Sequence, residues 1–274
     1  MKKLFPDFGF FKTILIAFSL VFGSCEDPFQ YNPNEVLLHD NEKNLNQKNI
    51  ARIGEIPLKD TLRFIIISDT HHEYEDLDDF VELVNAKNDI DFILISGDLT
   101  NFGLQTEYRE TNDRLKKLKI PYVAVIGNHD LLGNGEKVFK EMFGNLNFHF
   151  KCNGHKFIMI NTNSREYNFD GRVPDIDFLR SELSDTSSYN HAYVIGHVPS
   201  FNDDFDPNLE IIYASILAET GRVKFAAHGH TGGFSIVDWY TNGVPYVQID
   251  DMGARSYVLV KAGNNSISVE NIIF

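Results

Sequence analysis

The sequence predicts an α/β domain over residues 61–274, with two packed mixed β-sheets flanked by helices in a four-layer α-β-β-α sandwich. From residue 62 onward, short apolar runs rich in β-formers alternate with helical patterns, which indicates βαβ units and a parallel sheet. Beyond residue 150 strand-like runs outnumber helical ones, which favours a second, mixed sheet packed on the first. Hydrophobic residues make up 43% of the 274-residue chain, enough for a sizeable core.

The predicted elements follow in order along the chain. The first sheet is predicted to contain the strands Leu62–Ser68, Phe92–Ser96 and Tyr122–Ile126. The helical segments Leu77–Ala86 and Tyr108–Leu118 lie between them. Later strand-like runs lie at Phe157–Ile160, Tyr193–Ile195, Lys224–Ala227, Phe234–Val237, Val244–Ile249, Tyr257–Val260 and Ile267–Ile273, with helical stretches at Ile176–Leu183 and Leu209–Leu217. Neither an internal repeat nor a second domain boundary is visible, so we expect one domain.

The N-terminus has the pattern of a secretory signal. Three lysines precede an apolar run from Ile14 to Phe22, which is too short for a membrane span. The run ends in Gly23, Ser24 and Cys25, and it resembles a bacterial lipobox, in which a lipid is attached to the cysteine. We therefore expect residues 1–24 to be a lipoprotein signal peptide and Cys25 the lipid attachment site. An uncleaved short anchor is the alternative.

The segment after Cys25 is rich in Asn and poor in periodic apolar residues, so we expect residues 25–60 to form a flexible tether. Together, the lipid and the tether predict a protein anchored to the bacterial cell envelope, at the outer membrane or the cell surface. The chain has 39 acidic against 25 basic residues and a net charge of -14. Because binding to the phosphate backbone depends on Lys and Arg, no nucleic-acid partner is expected.

Polar turns follow the first three strands of the predicted sheet. The first strand leads into Asp69 and His71, the second into Asp98, and the third into Asn128 and His129. Successive parallel strands of βαβ units end on the same edge of the sheet, so these side chains are expected to meet in one crevice.

Two further turns add imidazoles, with His197 after one strand and His228 and His230 after another. A ligand set of Asp, Asn and His without Cys suits Zn, Mn, Fe or Co and leaves positions open for water and substrate. A single such turn is more often a capped turn than a ligand pair, but five in order are not explained by turn chemistry alone.

This ordered set of motifs, over about residues 62–250, resembles the calcineurin-like metallophosphoesterase superfamily. The stretch from Gly97 to Gly103 is most similar to small bacterial cyclic-nucleotide and glycerophosphodiester phosphodiesterases. The resemblance implies two divalent or trivalent metal ions, Mn, Fe or Zn. It assigns Asp69, His71 and His230 to the first ion, Asn128, His197 and His228 to the second, and Asp98 to both. It also implies that His129 lies beside the phosphate and protonates or stabilises the leaving oxygen.

The expected function is hydrolysis of a phosphodiester or phosphomonoester bond in a small phosphorylated substrate, by in-line attack of a hydroxide held at the metals. The alternative is a catalytically silent surface lipoprotein that keeps the fold and binds a metal or another ligand. The acidic residues Asp203, Asp204 and Asp206 are expected to form a solvated loop. Among the remaining histidines of the domain, His149, His155 and His191 are expected to be surface or satisfied structural residues, and His72 an ordinary loop residue.

Overall fold

A computed structural model describes residues 36–264 and 266–274, and residues 36–274 form one compact unit. The predicted signal peptide, Cys25 and the first part of the predicted tether lie outside the described residues. No helix in the described ranges is long and apolar enough to cross a membrane.

The described chain contains eleven strands in two sheets. The strands are β1 Thr61–Ile67, β2 Phe92–Ile95, β3 Tyr122–Ala124, β4 Phe148–Cys152, β5 His155–Met159, β6 His191–Ile195, β7 Val223–His228, β8 Ser235–Val237, β9 Tyr246–Gln248, β10 Ser256–Gly263 and β11 Ile267–Ile273. The first sheet has the order β11-β10-β1-β2-β3, and the second has the order β4-β5-β6-β7-β9-β8. Strands β1, β2 and β3 run parallel, as do β5, β6, β7 and β9, while the other pairings are antiparallel.

Six α-helices accompany the sheets in the described residues. They are α1 Leu45–Gly54, α2 Tyr74–Asn85, α3 Gln105–Leu115, α4 Gly135–Met142, α5 Ile176–Ser184 and α6 Glu210–Glu219. Alternating residues of each strand point to opposite sides of a sheet, so each sheet contributes to two apolar layers.

The apolar residues form three clusters that define four layers. Phe64 and Ile66 of β1 face the second sheet and pack with residues such as Phe157 of β5. Their neighbours Ile65 and Ile67 face the other way and pack under α2, α3 and α4. A third cluster lies between the outer face of the second sheet and helices α5 and α6. The four-layer α-β-β-α sandwich expected from the sequence is confirmed.

The two strands at the end of the chain extend the first sheet rather than the second. Strand β10 pairs antiparallel with β1, and β11 pairs antiparallel with β10. The segment from residue 135 to residue 152 also holds α4 and β4, which the sequence pattern did not predict. Both elements are short, so few apolar positions record their periodicity.

Residues 45–54, expected within the flexible tether, form helix α1 in the structure. Leu45 and Ile53 are buried in the apolar clusters. The Asn46 side chain is also buried; its amide donates to the Ala124 carbonyl at 2.9 Å and accepts from the Ala124 N–H at 2.9 Å. Ala124 lies on the edge strand β3, so Asn46 satisfies backbone groups that an edge leaves unpaired. The compact domain therefore begins before residue 61.

Candidate metal centre

The loops after β1, β2 and β3 lie side by side at one edge of the first sheet. The Asp69 N–H donates to the Gly97 carbonyl at 3.1 Å, and the Thr70 N–H donates to the Asp98 carbonyl at 2.9 Å. Asp69 and Asp98 both have left-handed backbone conformations, with φ of 50° and 54°. Such conformations are uncommon for non-glycine residues and concentrate at functional sites, where the surrounding contacts hold them.

Two glycines allow the loops to approach this closely. A Cβ at Gly127 would lie 2.1 Å from Asp98 Oδ1, and a Cβ at Gly229 would lie 1.8 Å from Ser68 Oγ. Both distances are far below van der Waals contact. Glycine at these positions lets the backbones pack against the side chains of the neighbouring loops.

Asp98 lies at the centre of the site. Its Oδ2 is 3.2 Å from His197 Nε2 and 3.8 Å from His71 Nε2, and its Oδ1 accepts the His129 N–H at 3.0 Å. Two groups of potential metal ligands within the described residues share this carboxylate. One consists of His71, Asp98 and His129 and the other of Asp69, Asp98 and His197, with ligand atoms within 4.8 Å of one another. Asp98 is therefore the residue that both groups of potential ligands have in common.

His197 is completely buried among oxygen atoms. Its Nδ1 lies 2.7 Å from the Ser96 carbonyl, which only accepts, so Nδ1 carries a hydrogen. Its Nε2 lies 3.2 Å from the Asp98 carboxylate and 2.9 Å from Asn128 Oδ1. An electropositive centre at Nε2, either a proton or a metal ion, reconciles these oxygens with the ring nitrogen.

The pKa values show the field that the carboxylates create. Burial opposes protonation of His197, but Asp98 and Asp69 overcome it and raise the pKa of His197 to about 10. Burial also raises the pKa of Asp69, to about 6, although His197 acts in the opposite direction. For Asp98 burial raises the pKa, but His197, His129 and His71 outweigh it and hold the pKa below its usual value. A negative field in a buried crevice of this kind favours cations.

His228 is the residue that most directly requires a partner. It is completely buried, and neither ring nitrogen has a hydrogen-bond partner among the described residues. Burial, followed by nearby His197, lowers its pKa to about 3, so the ring is neutral and offers a lone pair. Its ring stacks on Tyr246 with centroids 5.6 Å apart. An unpartnered buried imidazole costs free energy unless a ligand, such as a metal ion, completes it.

His129 and His71 form a stacked pair with ring centroids 4.8 Å apart. His129 Nδ1 lies 2.9 Å from the Asn101 carbonyl, so this nitrogen carries a hydrogen and Nε2 is left for other chemistry. Both rings are partly exposed, in contrast to the buried His197 and His228. The two rings therefore lie where the site meets solvent.

The structure brings the predicted residues together at one site but does not divide them as the resemblance does. Asp69 groups with His197, whereas the resemblance gives these residues to different ions. His230 contacts one residue from each of the two ligand sets that the resemblance implies. Its backbone N–H donates to Asp69 Oδ2 at 3.1 Å, and its Nδ1 lies 3.0 Å from Asn128 Oδ1. The residues fit metal binding, since they offer imidazoles, an amide oxygen and two carboxylates. The division of the seven ligands between two ions stays a prediction.

Sequence reasoning missed several residues that support the site. Asp204, expected in a solvated loop, lies 3.0 Å from His230 Nε2, and Asp206 is completely buried. Asp130 is also buried and accepts hydrogen bonds from the Leu99, Thr100 and Gly127 N–H groups and from the Thr100 hydroxyl. It thereby joins the loops that carry Asp98 and Asn128. Nothing in the sequence separates Asp204 from its neighbour Asp203, because both follow the same strand in one acidic run.

Comparison with known proteins agrees with this geometry. A profile of the calcineurin-like phosphoesterase family matches residues 62–234, which include all seven predicted ligands and His129. The chain belongs to the calcineurin-like phosphoesterase family. It is therefore a hydrolase. Its two groups of potential ligands agree with the metal binding that is typical of metallophosphoesterases.

Two curated proteins are similar to this phosphoesterase in sequence. A probable cyclic nucleotide phosphodiesterase of Xenorhabdus bovienii is 29% identical over 185 residues, which cover 59% of this chain and 68% of that protein. A probable glycerophosphodiester phosphodiesterase of Arcobacter nitrofigilis is 33% identical over 57 residues, 21% of each chain. Among solved structures, a dimetal phosphatase from Danio rerio superposes with a TM-score of 0.60 at 10% identity, covering 76% of this chain and 98% of that one. That likeness shows the fold.

Proposed function

We propose that this phosphoesterase uses two metal ions to hydrolyse phosphodiester bonds in small substrates at the bacterial cell envelope. The observation that carries the proposal is the Asp98 carboxylate, which is shared by two groups of potential ligands. A shared carboxylate is what a two-ion site needs, because it holds both cations close together while offsetting part of their charge. The unpartnered nitrogens of His228 support the same reading.

Asp69, His71 and His230 would hold one ion, and Asn128, His197 and His228 the other, with Asp98 between them. When bound, two such ions supply positive charge for the phosphate oxygens and lower the pKa of bound water towards neutrality. They also explain how a chain of net charge -14 can bind an anion, since the local charge in the crevice is reversed.

The chain's own residues handle the leaving group. In its doubly protonated form, with Nδ1–H bound to the Asn101 carbonyl, His129 would donate the Nε2 proton to the leaving oxygen as the phosphorus–oxygen bond breaks. The new phosphorus–oxygen bond forms on the opposite side, from a water molecule whose proton passes to solvent, and His129 regains its own proton from solvent after turnover. An alkoxide leaving group needs this proton more than a phenolate does.

The preference for a diester is supported by the two curated relatives, both named as probable phosphodiesterases. The cell-envelope location is supported by the N-terminal pattern of lysines, an apolar run and Cys25 in the sequence.

The test is a comparison of bis(4-nitrophenyl) phosphate with 4-nitrophenyl phosphate under defined Mn²⁺, Zn²⁺ or Fe²⁺. We expect the diester to be hydrolysed with the higher kcat/KM and chelation to abolish turnover. Asp98→Asn should lower kcat for both esters, while His149→Gln should not, because His149 pairs with Glu182 away from the metal site. Faster hydrolysis of the monoester would contradict the diester preference, and turnover unaffected by Asp98→Asn would contradict the proposed centre.

A further inference from the structure

Asp204 is the carboxylate that contacts His230 from outside the predicted ligand set. It lies in the loop between β6 and α6, and its side chain is 16% exposed. Its Oδ2 is 3.0 Å from His230 Nε2. The other side of the carboxylate forms an ion pair with Arg165, whose backbone N–H also donates to the Asp204 carbonyl at 3.1 Å. Asp204 is thus fixed from two directions.

This contact determines which nitrogen of His230 carries hydrogen. A carboxylate only accepts hydrogen bonds, so the nitrogen that faces it, Nε2, must be the donor. In a neutral imidazole the lone pair is then on Nδ1, which lies 3.0 Å from Asn128 Oδ1 inside the site. A histidine that binds a metal through one nitrogen commonly donates its other N–H to a carboxylate, which fixes both tautomer and ring orientation.

We propose that Asp204 is a positioning residue that holds His230 in the Nε2–H tautomer with Nδ1 facing the metal centre, and that Arg165 holds Asp204 in place. The proposal rests on the metal centre of the proposed function. It adds Asp204 of the β6–α6 loop and Arg165 of the β5–α5 loop to the residues that support the metal centre. The neighbouring Asp203 is exposed and serves as a matched control, since it shares the loop and the charge but not the contact.

The first experiment measures metal affinity rather than activity. Mn²⁺ is titrated calorimetrically into the metal-stripped full chain, as wild type, Asp204→Ala, Asp204→Asn and Asp203→Ala. We expect Asp204→Ala to weaken binding of at least one ion about 10- to 100-fold, and Asp203→Ala to leave both affinities unchanged. Asp204→Asn keeps the size of the side chain and should give a smaller loss, which tests the idea if the alanine variant does not fold.

The second experiment observes the tautomer directly. In zinc-loaded protein labelled with ¹⁵N, long-range ¹H–¹⁵N spectra should show hydrogen on His230 Nε2 and zinc on Nδ1. Zinc on Nε2, or an Asp204→Ala affinity equal to that of wild type, would overturn the inference and leave the proposed function standing. An equal loss in Asp203→Ala would also overturn it, by showing damage to the loop. If the wild type binds no metal, both the proposed function and this inference are contradicted.

Discussion

At the scale of single residues, the structure shows which ring nitrogen of His129 is free to act on a substrate. Its Nδ1–H donates to the Asn101 carbonyl, and in the proposed function Nε2 of the doubly protonated ring protonates the leaving oxygen. We expect His129→Ala to lower kcat by roughly 10²- to 10⁴-fold for diesters with alkyl leaving groups. The loss should be much smaller for 4-nitrophenyl esters, because nitrophenolate departs without a proton.

Steady-state kinetics on a series of diesters with graded leaving-group pKa measures this difference. The His149→Gln enzyme should follow the wild-type dependence. A loss in His129→Ala that is the same for all leaving groups would contradict the assignment and would place His129 in binding instead.

His155 gives a pH prediction away from the metal ligands. It is 3% exposed, its Nδ1 lies 3.2 Å from the Tyr193 hydroxyl, and burial, with a smaller effect of His191, lowers its pKa to about 4. In the unfolded chain the pKa is about 6.5, so the unfolded state takes up the proton first as the pH falls. Stability should therefore decrease between pH 6.5 and pH 4, by about 3 kcal/mol at most from this residue.

Urea denaturation of metal-stripped protein across that range measures the slope of unfolding free energy against pH. His155→Gln should flatten the slope relative to wild type, whatever its effect at pH 7. An unchanged slope would show that His155 keeps its ordinary pKa in the folded state.

The sequence predicted which residues would lie together because they follow strands, and the ends of parallel strands converge. Asp69, Asp98 and Asn128 could be placed together by that rule alone. Asp204 could not, because the β6–α6 loop sets its direction and no periodic pattern fixes a loop. The division of ligands between two ions is likewise undetermined by order along the chain.

At the scale of elements, helix α1 changes the boundary of the domain. Its Asn46 side chain pairs with both backbone groups of Ala124 on the edge strand β3. Asn46→Ala would leave the buried N–H and C=O of Ala124 without partners, at a cost of about 1–3 kcal/mol each. We expect the free energy of unfolding to fall by about 2 kcal/mol or more, measured by urea denaturation.

The matched control is Gln47→Ala, because Gln47 is exposed in the same helix and alanine favours helix. It should leave stability unchanged or slightly raised. Equal stability of Asn46→Ala and wild type would mean that α1 is dispensable, as the predicted tether implied.

Helix α1 escaped prediction for a physical reason. Only two of its apolar residues, Leu45 and Ile53, are buried, and the buried Asn46 amide supplies two hydrogen bonds to strand β3. Apolar periodicity therefore carries little signal there. Strands β1, β2 and β3 and helix α2 were predictable because their buried residues are apolar throughout, as in β2, where all four residues are buried.

At the scale of the whole molecule, the two sheets and their covering helices bring loops from both halves of the chain to one buried crevice. Loops of the first sheet supply Asp69, Asp98 and Asn128, while in the second sheet His197 follows β6 and His228 is the last residue of β7. Sequence spacing predicted that the first set would converge at one edge of the first sheet. That the two sets meet depends on how the sheets pack, which side-chain pattern alone does not determine.

The central claim is that two metal ions bound by this ligand set carry out phosphodiester hydrolysis. The most direct measurement titrates Mn²⁺ into metal-stripped protein and follows, on the same samples, bound Mn²⁺ per chain and hydrolysis of bis(4-nitrophenyl) phosphate. The account predicts saturation at two ions per chain, with turnover rising as the second ion binds, and loss of both in Asp98→Asn. Saturation at one ion, or two bound ions without turnover as in a catalytically silent lipoprotein, would contradict it.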